Sequence, residues 1–363
     1  MATPQASVPL PAEEIVLQRF ISLGLLGALT LAFPRAARAC DLCGCYTPQL
    51  ETLSPLQAEA ARSWTSGVYG AVAEQFTHFG TLQFEGDEVP NPTDQHLDSS
   101  ITQLVGAYTF NSRFALQVNI PLIYRSFERP EGFAIDRGTE SGLGDISLLG
   151  KFVLFHVEKG GGRTVNFDDP KSPRIEIVGP DFTCSGVLIG GVKFPTGDSS
   201  RLKEEFNEIE IEGAPESGIH GHDLTLGTGS YDGIFGGQFA LRYKNFFFEQ
   251  DLQFTLRGDG LHQYHFANDL SWSGGPGYYF VRTPQAIVGL QGIISGEYKD
   301  VDRFQGKVAE DTGITSIFAG PRLRASLGRI SAEVAVEIPL SIDNSALQAV
   351  PDYRISAAFA LRF

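Results

Sequence analysis

The chain has 363 residues, a formal net charge of −15, 41 glycines and 27 phenylalanines. After roughly the first forty positions no apolar run is long enough for a membrane-spanning helix, which needs about 18 residues or more, so the composition excludes a helical membrane protein there. The acidic balance argues against a nucleic-acid partner, while glycine and aromatic residues are typical of close-packed strands with aromatic belts.

Residues 1–39 have the pattern of a cleaved secretory signal peptide. Arg19 precedes the apolar run from Phe20 to Phe33, and Ala37-Arg38-Ala39 matches a small-x-small cleavage site. The mature chain is expected to begin at Cys40. An uncleaved anchor is the alternative, although the run is short for a membrane span.

Residues 40–65 are predicted to form a periplasmic leader that contains a short helix around 54–62. Cys40, Cys43 and Cys45 form a Cys-x-x-Cys-x-Cys pattern, whereas Cys184 is isolated. Three uses stay open for the triplet: a disulfide, binding of a soft metal ion by thiolates, and lipidation of Cys40. No resident cofactor is expected beyond such a divalent or soft metal ion.

Residues 66–363 are predicted to form an all-β, closed antiparallel transmembrane β-barrel of about twelve strands. Each segment alternates apolar and polar residues with a period of two, over a length that crosses an outer membrane. The predicted strands lie near 67–80, 98–110, 113–126, 143–156, 181–195, 231–243, 246–257, 264–281, 285–298, 313–326, 329–341 and 351–363.

The lengths of the connections alternate as this architecture requires. Tight periplasmic turns are expected after the second, sixth, eighth and tenth strands, and external connections of about ten to thirty residues after the first, third, fifth, ninth and eleventh. The seventh connection is short and glycine-rich. Residues 157–180 depart from the pattern, and we expect a periplasmic insertion there.

The two faces of each strand predict which side chains line the lumen. A two-residue hairpin at Leu327-Gly328 would place Arg322 directly across from Glu333. We expect this pair to select solutes, so that replacing both residues with Ala widens the pore and shifts ion selectivity; structural pairing of the two strands without an effect on transport is the alternative. The complete set of predicted lumen charges is Arg322, Glu333, Arg324, Glu337, Glu249, Asp251, Arg242 and Lys151, and Arg257 has the same parity.

The last strand, from Tyr353 to Phe363, alternates without a break and ends on an aromatic residue. A strand of about ten residues with one apolar face suits a tilted membrane crossing. We expect the segment ending at Phe363 to be the contact with the barrel assembly machinery, and the barrel to lie in the outer membrane among lipid and lipopolysaccharide.

Several motifs resemble a family of bacterial outer-membrane barrels described as transporters and related to barrels encoded with phenol meta-cleavage pathways. The residues that carry the resemblance are Gly142-Leu143-Gly144-Asp145-Ile146, Lys193-Phe194-Pro195-Thr196-Gly197-Asp198, Gly227-Thr228-Gly229-Ser230-Tyr231-Asp232 and the terminal Phe363. The exported cysteine leader also resembles leaders of such barrels. The resemblance implies passage of small solutes across the outer membrane and implies no catalytic residue.

Acidic residues and histidines concentrate in the predicted external loops. The acidic loops either concentrate cations at the mouth, or bind divalent ions that bridge lipopolysaccharide, or are simply solvated. His220, His222, His262 and His265 lie at two neighbouring loop ends and are candidate ligands of a metal ion if the loops fold inward; solvated histidines are the alternative.

Three classes of function fit these observations. A channel or transporter-like barrel for a small solute or ion agrees best with the charged inner face. A barrel scaffold that binds a metal or redox partner through the Cys-x-x-Cys-x-Cys segment is the alternative. A lipid hydrolase would need a Ser and His pair on a shared outer face, and none is found, so we expect no enzyme.

Overall fold

The computed structural model describes residues 67–166, 174–178, 180–206, 211–283 and 286–363. These residues form a closed antiparallel β-barrel of twelve strands, each paired with its neighbour in sequence, in which the last strand pairs with the first. The strands are β1 (Gly67–Phe84), β2 (His96–Thr109), β3 (Phe114–Glu131), β4 (Ser147–Lys159), β5 (Phe182–Lys193), β6 (Asp232–Tyr243), β7 (Phe246–Leu256), β8 (Asp269–Arg282), β9 (Ala286–Lys299), β10 (Ile314–Leu327), β11 (Ile330–Asn344) and β12 (Leu347–Arg362).

The predicted fold class and strand number are confirmed, and every predicted strand overlaps an observed one. Closure runs from the pair Tyr69↔Arg362 to the pair Phe84↔Leu347, with an irregular register near His78. Closing the sheet leaves no unpaired edge along the wall, which a barrel in hydrocarbon requires because lipid cannot satisfy backbone hydrogen bonds. In the described part of the chain, no helix has the length and hydropathy needed to cross a membrane.

Alternation of side chains separates an apolar exterior from a polar interior. On β11, Val334, Val336 and Ile338 are exposed whereas Ser331 and Glu337 are buried. The same division holds on β3 and β12, as the sequence predicts. Exposed aromatic residues of the outer face include Phe110, Phe114, Tyr124, Phe152, Tyr243, Phe246, Tyr278, Phe280, Phe359 and Phe363.

The connections between the twelve barrel strands contain additional short elements. They comprise the strands Asp87–Val89, Ala134–Leu143, Gly162–Asn166, Arg174–Val178, Tyr264–His265, Asp302–Phe304 and Lys307–Ala309, the 3-10 turns Ser200–Phe206, Leu261–Gln263 and Glu310–Thr312, and the one-turn helix α1 (Gly221–Leu224). The hairpin of Gly162–Asn166 with Arg174–Val178 falls inside the connection that the sequence marked as a periplasmic insertion.

Two predicted external loops are shorter than expected. The third connection is mostly strand. Its residues Ala134–Leu143 pair with the external half of β3, and β4 pairs with the periplasmic half of the same strand. The eleventh connection is a two-residue turn between Asn344 and Leu347, with Ala346 at φ 49°. The register between β10 and β11 shifts between Ile317 and Phe318 and interrupts the alternation of side chains. For this reason the sequence predicted the end of β11 at residue 341, before its observed end at Asn344.

The predicted register of the β10–β11 hairpin was wrong. The turn lies one residue later in the chain, so each residue of β10 pairs two positions further along β11 than predicted. The structure pairs Leu327 with Ile330, so the turn residues are Gly328 and Arg329, and Gly328 has φ 59°. A positive φ favours glycine at this turn position. Arg322 therefore lies across from Ala335, and it is Arg324 that lies across from Glu333.

Candidate functional site

The barrel interior is the candidate functional site, because it gathers polar side chains that the strands direct away from lipid. All eight predicted lumen charges lie on inward positions. Seven of them are buried, and the side chain of Glu333 is 14% exposed. The predicted set is thus brought into one interior, although its members have different partners.

Arg324 is the centre of an ionic group that spans the lumen. Its Nη1 donates to Glu249 Oε2 on β7 at 2.5 Å, and its Nη2 lies 3.5 Å from Glu333 Oε2 on β11. Its guanidinium carbon also lies 5.4 Å from the centroid of the Phe247 ring. Strands β7 and β10 are not neighbours in the sheet, so the bond from Arg324 to Glu249 crosses the interior.

The remaining predicted charges have more local roles. Arg242 donates to the backbone oxygens of Pro180 at 2.9 Å and Lys244 at 3.1 Å, which ties two periplasmic connections together. Glu337 accepts a hydrogen bond from Ser295 Oγ at 2.5 Å. These geometries place Arg242 at the periplasmic end of the barrel. Arg324 lies three residues before the end of β10 at the periplasmic turn, so the ionic group around it also belongs to the periplasmic half.

An apolar layer lies in the periplasmic half of the barrel. The rings of Phe247 and Tyr279 stack with centroids 4.3 Å apart and planes 18° apart. A Cβ atom added to Gly277 or Gly289 would overlap these rings, so the two glycines make the room that the rings occupy. The cluster joins them to small residues on the opposite wall, namely Ala71, Ala73, Val105, Ala358 and Ala360, together with Ile287.

The external half of the barrel receives the described residues 194–206 and 211–231 of one connection, here called the inward loop. Ile219 and Leu224 of this loop pack into a buried cluster with Phe79, Leu97 and Phe127 of the wall. Arg125, fully buried on β3, donates from Nη1 to the backbone oxygens of Asp223, at 2.6 Å, and Thr225. A wall cation therefore holds the loop backbone inside the mouth.

The three motifs that carry the family resemblance meet at the two ends of the inward loop. Asp145 Oδ1 accepts from the Gly197 amide at 2.9 Å, and Asp145 Oδ2 accepts from the Thr228 amide and hydroxyl at 2.8 Å. Lys193 Nζ lies 3.3 Å from Asp145 and 2.7 Å from Asp232. Because these charges are buried, paired and hydrogen-bonded, the motifs anchor the loop rather than forming a reactive site.

Arg257 extends this buried ionic group toward β8. Its Nη1 lies 2.8 Å from Asp232, and its Nη2 lies 2.6 Å from Asp269. Arg257 belongs to the inner face, as its parity predicts, but it is saturated by these two carboxylates. It is therefore part of the loop anchor.

The histidines of the inward loop form an electrostatic contact with neighbouring carboxylates. His222 Nδ1 lies 3.1 Å from Glu205 Oε1, and His220 Nε2 lies 3.4 Å from Asp311. Burial lowers the pKa of His222, but the charges of Asp223 and Glu205 outweigh it and hold that pKa well above the ordinary value. Burial raises the pKa of Glu205, and the His222 charge more than offsets this and brings it to about 2.

Metal binding at the histidines remains a prediction. His220 and His222 stack on each other, whereas His265 lies 3.3 Å from Asp259 and His262 has φ 58° in a turn. Among the residues that the structure describes, no three His, Cys, Asp or Glu side chains are grouped as metal ligands.

Several predictions fall on residues outside the described part of the chain. These are the signal peptide at 1–39, the leader helix near 54–62, and the uses of Cys40, Cys43 and Cys45 in a disulfide, a metal site or a lipid anchor. They stay predictions. Cys184, the fourth cysteine, is a free thiol on β5.

Sequence reasoning missed Phe247, Tyr279 and the role of Arg125. Parity alone places Phe247 on the inner face beside Glu249, and the glycines near Tyr279 are a second signal, since large inward rings need small neighbours. The bonds from Arg125 to the loop had no signal in the sequence, because they depend on how a long connection folds back into the mouth.

No family model matches the chain, and no curated protein matches it. Among solved structures, it is similar to an outer-membrane channel from Pseudomonas putida F1, with a TM-score of 0.52 and 12% identity over 82% of this chain and 96% of that one. The translocator domain of the autotransporter NalP from Neisseria meningitidis has 12% identity over 87% of this chain and 95% of that one, with a TM-score of 0.37. The beta domain of the Bordetella autotransporter BrkA has 12% identity over 82% of this chain and 100% of that one, with a TM-score of 0.39.

The likeness to the Pseudomonas channel shows a shared fold. The closed wall and its apolar exterior make this chain a β-barrel of the outer membrane.

Proposed function

We propose that the chain is an outer-membrane channel that admits small solutes through the barrel interior. One observation carries the proposal: a closed wall with an apolar exterior directs charged side chains inward from β4, β6, β7, β10 and β11. Buried charges are costly unless they are paired, and inward charges on a pore wall are a common means of selecting ions and polar solutes. The similar Pseudomonas protein is an outer-membrane channel, which supports the same function.

The inward loop and the layer of Phe247 and Tyr279 narrow the path at two levels, which favours selective over general diffusion. We also propose a relationship to the outer-membrane barrels encoded with phenol meta-cleavage pathways, on the basis of the motif resemblance alone. The anchor built from Asp145, Lys193 and Asp232 belongs to the scaffold and does not identify a solute.

Planar bilayer recording tests the channel proposal. The chain from Cys40 onward, with and without residues 40–65, should give discrete conductance steps. Replacing both Arg324 and Glu333 with Ala should raise the conductance and shift the reversal potential in a salt gradient, because this pair belongs to the ionic group that crosses the interior. Arg329→Ala, at an exposed periplasmic turn, is the matched control.

Silent bilayers from correctly folded protein would reject the channel. Silence combined with tight uptake of Zn²⁺ or Cu⁺ would favour the scaffold that uses the cysteine segment. Release of fatty acid from phospholipid would instead favour a lipid-hydrolysing barrel.

A further inference from the structure

Arg322 is a buried cation in the barrel interior that has no hydrogen bond to another residue in the described part of the chain. The residue is 9% exposed, and its buried Nε has no partner among the described atoms. Arg324, two positions along the same strand and on the same face, is bonded to Glu249. A buried donor without a partner is costly, so the retention of the buried Arg322 Nε needs a reason other than the fold.

Unpaired acceptors lie in the same polar layer. Within the described residues, Glu249 Oε1 is buried without a hydrogen bond while its Oε2 accepts from Arg324, and Gln291 Oε1 is likewise unpaired. Gln291 lies directly across from Arg322 on β9. The layer therefore contains donors and acceptors that do not satisfy one another.

The two signs of charge lie on different strands of the wall. Arg322 and Arg324 project inward from β10, whereas Glu249 and Asp251 project inward from β7, three positions away around the barrel. Arg322 interacts electrostatically with both carboxylates but lies too far from either to form an ion pair. Lys151 on β4 also acts on Asp251. The electric field of these side chains therefore points across the lumen, from the arginines of β10 toward the carboxylates of β7, and their positive and negative charges nearly cancel in sum.

We propose that this layer binds a small zwitterionic solute during passage, with the solute carboxylate on Arg322 and its ammonium group on the Glu249 and Asp251 side. The inference rests on the proposed channel function and names the substrate class for it. A simple anion would meet the two carboxylates and a simple cation the two arginines, whereas a dipolar solute gains at both poles. A guanidinium suits a carboxylate because its planar fork donates two parallel hydrogen bonds.

Swelling of proteoliposomes with two isomers tests the proposal. β-Alanine is a zwitterion and lactamide is uncharged, and both have the same mass and zero net charge, so neither builds a membrane potential. The chain from Cys40 onward should admit β-alanine faster than lactamide. Arg322→Gln should lower the ratio of the two rates about tenfold, as expected for the loss of one charged hydrogen bond.

Further variants keep the test decisive. Arg322→Lys keeps the positive charge but loses the planar guanidinium, so it should lower the ratio of the two rates less than Arg322→Gln does. This variant supplies the measurement if Arg322→Gln folds poorly. Asp251→Asn removes charge at the other pole and should also lower the ratio. Arg329→Ala controls for loss of an arginine outside the lumen.

Equal rates of β-alanine and lactamide in the unaltered chain, or an equal change of both rates in Arg322→Gln, would overturn the proposal while leaving the channel intact. Entry of neither isomer would overturn the channel and this inference together.

Discussion

The external half of the barrel interior receives a loop, whereas the periplasmic half is crossed by side chains of the wall itself. In the external half, Ile219 and Leu224 of the inward loop pack on the wall, and Arg125 binds the loop backbone. In the periplasmic half, Phe247 and Tyr279 contact alanines on the opposite strands. The external constriction depends on how a connection folds, whereas the periplasmic constriction depends on which side chains the strands direct inward.

This difference bears on how each narrowing responds to change. A loop anchored at its two ends can be shortened without altering the hydrogen-bonded wall, because barrels tolerate variation in loops more than in strands. The apolar layer of Phe247 and Tyr279 consists of side chains of the wall. Its removal leaves the backbone hydrogen bonds between the strands intact and enlarges the lumen at that level. Each half of the interior can therefore be opened by itself.

The largest effect is expected from shortening the inward loop. Replacing residues 211–224 with a short Gly-Ser linker removes Ile219 and Leu224 from the wall but retains the anchor around Asp145 and Thr228. Conductance in planar bilayers should rise severalfold, because the external half of the path is cleared.

Inserting the same linker at Gln305-Gly306, in another external hairpin, is the control and should leave conductance near its original value. An unchanged conductance in the shortened variant would mean that the inward loop does not limit the path.

Opening the periplasmic half should have the next largest effect. Replacing Phe247 and Tyr279 with Ala removes the stacked pair and should raise conductance, while each truncation costs about 3–5 kcal/mol of unfolding free energy. Conductance and unfolding in urea measure the two consequences.

The adjacent pair Phe246 and Tyr278 supplies a matched control on the outer face. These rings also contact each other, with centroids 4.9 Å apart, but they are exposed on the outside of the wall. Their double Ala variant should leave conductance unchanged. A similar rise in both variants would show that the wall is loosened in general.

Strand positions and the division of inner from outer residues were predictable, because a period of two along the chain fixes the face of every residue. The placement of Arg324, Glu249 and Asp251 inside the barrel followed from this alone. The exact partner of Arg322 did not, since moving the turn from Leu327-Gly328 to Gly328-Arg329 shifts every pair on β10 and β11.

Contacts between distant segments were beyond the sequence. The bond from Arg324 to Glu249 joins strands that are not neighbours, and the Asp145 anchor joins three separated motifs. Alternation specifies a face but gives neither the distance across a lumen nor the path of a loop. The resemblance identified the motifs, and only the structure shows that they hold the inward loop.

The two neighbouring arginines of β10 should differ in their effect on stability. Arg324→Ala leaves Glu249 buried without its cation and should lower the free energy of unfolding by about 3–5 kcal/mol. Arg322→Ala breaks no hydrogen bond or ion pair within the described residues and should cost far less. Chemical unfolding of both variants in detergent, beside Arg329→Ala, measures the difference. Equal losses for Arg322 and Arg324 would contradict the pairing seen in the structure.

The smallest effect is expected from the pH dependence of the inward loop. The raised pKa of His222 means that its contribution is fully present below the unfolded value of about 6.5 and is lost as pH rises through the folded value. The lowered pKa of Glu205, about 2, means that its contribution is present above the unfolded carboxylate value of about 4.3 and is lost as pH falls toward 2. Both contributions are therefore complete only near pH 5–6.

Limited proteolysis of the inward loop across pH 4–9 measures this window, with fastest cleavage expected at the alkaline end. His222→Gln should flatten the alkaline side of the profile, because a neutral amide has no proton to lose. His156→Gln, at an exposed position on β4, is the control and should keep the original profile. A profile that His222→Gln leaves unchanged would assign the pH dependence to other groups and reduce the contact between His222 and Glu205 to simple packing.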